Sequence, residues 1–179
     1  MLGTLFPDIR ALKVIEREQT HFTGVTYDQI KQVPDSFRRG FLLHSLIDEV
    51  REDYVQSKGA YRGLPTSYLT TVALKVCEDI ALYDKVKDWH EYIEYLNHFS
   101  HHEEQFGIPA GAIQTWHKLH GAFFANSPDK NITTFAQGIG LGKEEVDEVT
   151  RLMAIIRESK VVDTYLYDFY DNLEDLLEK

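Results

Sequence analysis

The chain has 179 residues, 43% hydrophobic and 27% charged, a balance that suits one soluble globular domain with a core of its own. Nineteen Lys plus Arg against twenty-nine Asp plus Glu give a formal charge of −10, which argues against broad electrostatic binding to nucleic acid or anionic lipid. No apolar run approaches the length of a membrane span, and the lone Cys77 excludes an internal disulfide framework and any thiolate cluster. A metal site in this chain would have to be built from His and carboxylates. The cysteine usage, with no leader-like segment before Gly3, makes the cytoplasm the expected compartment.

Apolar residues recur at three- and four-residue spacing and alternating runs are scarce, so the pattern predicts an all-α, single-domain bundle of about seven helices. The first is expected from Pro7 or Asp8 to Glu18, with Pro7 in a first turn where its missing N–H is not needed. A loop carrying Gly24 and Asp28 leads to Pro34. Asp35 or Ser36 then caps a long helix to about Gln56, with the apolar stripe Phe37, Phe41, Leu42, Leu46 and Val50, closed by Ser57-Lys58-Gly59. A third helix starts at Thr66 or Ser67 and runs to about Tyr83. A fourth runs from Asp88 through Leu96 to Phe99 or Glu103, and a fifth from Pro109 to Phe124. Ser127-Pro128-Asp129 reads as a break, and Gly138, Gly140 and Gly142 as a flexible link. Lys143 to Glu158 and Val161 to Leu177 read as two amphipathic helices.

His44 and Asp48 lie four residues apart in the long helix. That spacing stacks them on one face, so an imidazole nitrogen and a carboxylate oxygen can converge on one cation. Burying Asp48 without such a partner would be costly. The pair alone is also compatible with a plain hydrogen bond within the helix. Asp8 and His21 precede it, and each has an ordinary reading: Asp8 as a helix start that accepts backbone N–H groups, His21 as a loop residue.

Taken together, Gly3 to Ile9 as Gly-x-x-x-Pro-Asp-Ile, Thr20-His21-Phe22, and Gly40-x-x-x-His44-x-x-x-Asp48 resemble the metal-binding core of the bacterial zinc-dependent phospholipase C-like proteins. A looser likeness exists to acyl-carrier-protein phosphodiesterases. The resemblance covers about the first third of the chain. It implies an all-helical fold and a divalent metal, usually zinc, with Asp8, His21, His44 and Asp48 as ligands. Those phospholipases have a longer N-terminal segment and a later His followed by a His-x-x-x-Glu pair. Neither is reproduced here, so the resemblance implies one or two metals rather than three.

The other candidates weigh differently. His90, His98, His101 and His102 include a pair four apart, His98 and His102, with Glu94 four residues before His98. The run His101-His102-Glu103-Glu104 reads better as a solvated helix end, where imidazoles meet the negative pole of the dipole. His117 and His120 are expected to pack beside Trp116. Among Glu78, Asp79 and Asp84, Asp79 is the choice to complete a metal shell from a neighbouring helix. Arg10 and Arg17 flank the ligands, where a guanidinium either clamps a phosphate oxygen or neutralises a nearby acid. The tail Tyr165 to Tyr170 reads as packing or a subunit interface, which leaves a homo-oligomer open. His-Asp, His-Glu-x-x-His, Gly-x-x-x-x-Gly-Lys and Gly-x-Ser-x-Gly signatures are absent.

The sequence therefore predicts a metal-dependent hydrolase acting on a small phosphoester through a metal-activated water. Asp8, His21, His44, Asp48 and Asp79 are the expected ligands. Asp48 or a nearby acid orients the water, and Arg17 holds the substrate. Zinc is the first choice of metal, with manganese or iron open, and no nucleic-acid partner is expected. The alternative is a non-catalytic helical binding or oligomerisation module that keeps these residues as a hydrogen-bonded network.

Overall fold

The computed structural model describes residues 2–86, 88–98 and 101–178, the side chain of His101 excepted, and shows only helices and their connections among them. The α-helices are α1 (Leu2–Leu5), α2 (Tyr27–Lys31), α3 (Ser36–Ser57), α4 (Tyr68–Leu82), α5 (Trp89–Leu96), α6 (His101–Glu104), α7 (Ala110–Phe124), α8 (Pro128–Gly138), α9 (Lys143–Ser159), α10 (Leu166–Asp171) and α11 (Leu173–Leu177). The all-α expectation holds. The described residues form eleven α-helices rather than about seven, because several predicted segments are broken into short pieces.

The long elements start where their caps lie. Asp35 accepts from the Arg38 amide ahead of α3, and Ser67 from the Leu69 amide ahead of α4, each satisfying a donor that the first turn leaves unpaired. The predicted first helix is instead α1 followed by tight 3-10 turns over Phe6–Leu12 and Arg17–Gln19. Pro7 supplies no N–H, and Lys13 takes a left-handed φ of 58° that ends the run. The predicted loop around Asp28 contains α2, started by a reciprocal cap between Thr26 and Gln29. Pro128, read as a break, is the first residue of α8, where its ring is well tolerated. The last predicted helix divides at Tyr165 and Asn172. Helix α5 stops at Leu96, before the expected end at Phe99 or Glu103; Phe99 lies outside the described residues and Glu103 belongs to α6.

Three apolar clusters hold these pieces together. The largest joins α4 to α9 through Leu69, Leu74, Leu152 and Ile156, with Tyr165 closing it. A second wraps the N-terminal segment, using Phe6 and Ile9 against Phe37, Phe41, Ile113 and Trp116. A third, smaller one sets Ile30 and Leu46 against Leu177. Each large side chain sealed this way contributes roughly 1.5–3 kcal/mol of transfer free energy. Cys77 lies in the largest cluster, and burial pushes its thiol up to about 11, which keeps it unreactive.

The second cluster positions the site. Helix α1 lies directly on α3 because both carry glycine at the crossing. A Cβ on Gly3 would overlap the Phe37 carbonyl, and one on Gly40 would sit 3.0 Å from the Thr4 nitrogen. With hydrogen on both, the two backbones touch. Trp116 fastens the other side by donating its indole N–H to the Leu5 carbonyl at 3.1 Å. Asp8 is thereby held over the middle of α3. No helix among the described residues is long and apolar enough to cross a membrane.

Candidate metal centre

Asp8, His21 and His44 converge, with Asp48 beside the two imidazoles. The two imidazoles approach Nε2 to Nε2 at 3.2 Å. Asp8 reaches His21 Nε2 at 3.5 Å with Oδ1 and His44 Nε2 at 3.8 Å with Oδ2. Asp48 Oδ2 stands 3.6 Å from His44 Nε2 and 3.9 Å from His21 Nε2. Of these, one ligating atom each from Asp8, His21 and His44 lie within 4.8 Å of one another, and this is the single such group among the described residues.

Hydrogen bonds behind the rings hold both imidazoles, and that of His44 fixes its tautomer. His44 Nδ1 lies 2.9 Å from the Thr4 carbonyl, which can only accept, so Nδ1 carries the proton. Thr20 is sealed from solvent, and its hydroxyl reaches the Arg17 carbonyl at 3.2 Å. Its oxygen lies 2.9 Å from His21 Nδ1 and holds the ring in either tautomer. When neutral, His44 aims an Nε2 lone pair at His21 Nε2, 3.2 Å away. At that distance the two nitrogens can share either a proton or a cation. Two nitrogens on one tetrahedral zinc at about 2.0–2.1 Å stand about 3.3 Å apart, so the spacing fits a shared cation. A hydrogen bond from each non-ligating ring nitrogen to an oxygen is the usual support of metal-binding histidines.

The carboxylates are anchored as well. Lys75 of α4 donates to Asp48 Oδ1 at 2.7 Å, leaving Oδ2 turned to the imidazoles. Arg10 approaches Asp8 Oδ1 at 3.6 Å. Burial raises the Asp8 carboxyl, but its hydrogen bond with His21 and the charges of His44, Lys75 and Arg10 outweigh that and hold it well below the usual carboxylate range. Asp8 is an anion at neutral pH, as a cation ligand must be.

The cluster opens into a cavity of about 1010 Å³ whose wall includes Asp8, Arg10, Arg17, His21, Asp48 and Asp79. Arg17 lines the cavity on its exposed side. Arg10 lines it too, and its Nε is buried without a hydrogen-bond partner among the described residues. Asp79 belongs to the wall but not to the converging group. It reaches solvent within the concavity, where the surrounding protein, together with the neighbouring Glu78, pushes its carboxyl up to about 7 against the pull of Lys75 and Arg51.

The other histidines behave differently from their sequence readings. His98 and His102 do not share a continuous helix, since α5 ends at Leu96. His102 stacks on Phe37 and lies 2.9 Å from Asp35. His90 faces Glu94 at 3.7 Å in the open. His101 cannot be placed, its side chain lying outside the described residues. Glu103, expected at a solvated end, is buried and 2.7 Å from His117, tying α6 to α7. His120 packs against Trp116 as expected, and also lines the cavity. Spacing alone did not single out the roles of Thr20 and Lys75, which act beside His21 and across the fold to Asp48. Compared with protein-family models, curated proteins and solved structures, the chain matches none.

Proposed function

We propose that the protein is a metal-dependent hydrolase that cleaves a phosphoester with a metal-activated water. The observation that carries this reading is the convergence of His21 and His44, Nε2 to Nε2 at 3.2 Å, with the anionic Asp8 and with Asp48 beside them. Asp8, His21, His44 and Asp48 would hold the cation, two imidazole nitrogens and two carboxylates that suit zinc first, with manganese or iron open. A divalent cation there supplies Lewis acidity, lowering the pKa of water to about 7 and polarising a phosphoryl oxygen.

The remaining work falls to the chain. Both Asp48 oxygens are engaged, one by Lys75 and the other beside the imidazoles, so Asp48 acts as a fixed anion rather than a proton carrier. Asp79, raised toward neutrality in the same cavity, is placed to exchange a proton with water or leaving group near pH 7. Arg10 and Arg17, both in the cavity wall, supply donors for phosphate oxygens.

Elemental analysis of the purified protein tests the reading, together with hydrolysis of bis(4-nitrophenyl) phosphate before and after chelation. The expected result is a stoichiometric divalent metal and chelator-sensitive turnover, both lost in His44→Ala. A folded, metal-free protein that neither takes up zinc nor hydrolyses the diester would overturn it in favour of a non-catalytic helical module.

A further inference from the structure

Away from the metal centre, the cavity wall turns apolar where α7 and α8 contribute Trp116, Phe123, Phe124 and Phe135. His120 sits in this wall, only 7% exposed. Its ring lies 4.1 Å from Trp116 and edge-on to Phe135 at 5.1 Å, centroid to centroid. Nδ1 is 3.1 Å from the Trp116 carbonyl, which can only accept, so Nδ1 holds the proton and Nε2 carries a lone pair. Burial keeps the ring neutral, pushing its pKa down to about 4 although the Trp116 carbonyl and the Asp8 charge pull the other way.

That lone pair has no hydrogen-bond partner among the described residues, and Nε2 is not sealed away either. It opens onto the cavity. An acceptor set among aromatic rings is costly to leave unsatisfied. A second cation does not explain it, because His120 is outside the one group of converging ligands among the described residues.

We infer that this wall seats the part of the substrate beyond the phosphate, and that this part is a flat apolar ring donating one hydrogen bond, from O–H or N–H, to His120 Nε2. The inference rests on the hydrolase reading above and narrows its substrate to phosphoesters of ring alcohols that carry such a donor. Water adds to phosphorus as the P–O bond to the ring alcohol breaks, releasing phosphate and the free alcohol. The ring fills the aromatic wall, and its donor answers the single acceptor there.

The test compares kcat/KM for 4-hydroxyphenyl phosphate, 4-methoxyphenyl phosphate and glycerol phosphate on the zinc-loaded protein, with indol-5-yl phosphate as the N–H arm. A ring with a donor, phenolic or heterocyclic, should be preferred over its methoxy analogue by about tenfold, the value of one neutral hydrogen bond. His120→Phe should abolish that preference while retaining its metal. Equal rates for the hydroxy and methoxy esters on an active enzyme would overturn the inference and leave the hydrolase reading standing. Loss of metal in His120→Phe would also overturn it, marking His120 as a ligand.

A second measurement needs neither turnover nor a variant that folds. In the metal-free wild type, hydroquinone should shift the His120 Nε2 resonance in nitrogen NMR, whereas 1,4-dimethoxybenzene should not. No shift with hydroquinone would sink the inference whatever the fate of the hydrolase reading.

Discussion

Thr20 and His21 are sequence neighbours whose side chains face each other, Oγ1 to Nδ1 at 2.9 Å. The threonine hydroxyl also reaches the Arg17 carbonyl, which anchors its oxygen beside the ring. This contact keeps His21 Nε2 turned to His44. Thr20→Val preserves shape and removes the acceptor, and it should weaken zinc binding by about 10- to 100-fold. Thr20→Ser should restore most of it. Competition against a chromogenic chelator reads the affinity; equal affinity in the valine and wild-type proteins would show that the His21 ring is held by packing alone.

Gly3 links the fold to the centre. Its missing Cβ lets α1 lie against the Phe37 carbonyl, and α1 carries the Thr4 oxygen that holds His44. The obstacle to a methyl group is backbone and has little room to move. Gly3→Ala should cost about 1–3 kcal/mol of stability and lower zinc affinity as well. Gly111→Ala on α7, where a Cβ meets nothing within 4 Å, should instead stabilise by roughly 0.5–1 kcal/mol. Thermal unfolding of both variants distinguishes a steric role for Gly3 from a general glycine effect.

The long helices and the pairing of His44 with Asp48 are legible in the sequence for the same reason: both are written in local spacing. Asp35 and Ser67 announce α3 and α4, and His44 and Asp48 need only the helix pitch to share a face. Asp8 and His21 are not local to that face, and entered through motif resemblance. What spacing does not encode is the order of packing. Glu103 looks like a solvated helix end until α6 is seen to bury it against His117. Asp79 shares a helix with Lys75, but only Lys75 reaches Asp48. The predicted first helix failed because Pro7 and Lys13 favour tight turns that contacts with Phe37 and Trp116 then hold.

Arg51 and Glu78 form a buried two-pronged pair, Nε to Oε2 at 2.9 Å and Nη2 to Oε1 at 2.6 Å, and Tyr165 adds its hydroxyl to Glu78. The pair joins α3 to α4 beneath the cavity. Arg51→Met leaves the buried Glu78 carboxylate with only the Tyr165 hydroxyl and should cost about 3–5 kcal/mol, whereas Glu78→Leu leaves Arg51 its contact with Glu52 at 3.0 Å and should cost less. The double variant should lose much less than the sum, because no uncompensated charge remains. Urea unfolding of the two single variants and the double completes the cycle. Additive losses would mean that the two side chains act independently.

Asp79 gives the stability a pH signature of predictable sign. Its carboxyl titrates at about 7 in the folded protein against a reference of 3.8. Below the reference value the side chain is protonated whether folded or unfolded, and nothing is lost. As pH rises from there through 7, the unfolded chain releases this proton more readily than the native one, and the native state is progressively penalised. Asp79→Asn, which cannot ionise, should therefore raise the melting temperature at pH 8, with the advantage shrinking steadily to nothing near pH 4. Chelator present throughout both series keeps metal binding from contributing. Parallel curves for variant and wild type across that range would mean that Asp79 is solvated as freely in the cavity as in the unfolded chain, and would remove it as a proton carrier near neutral pH.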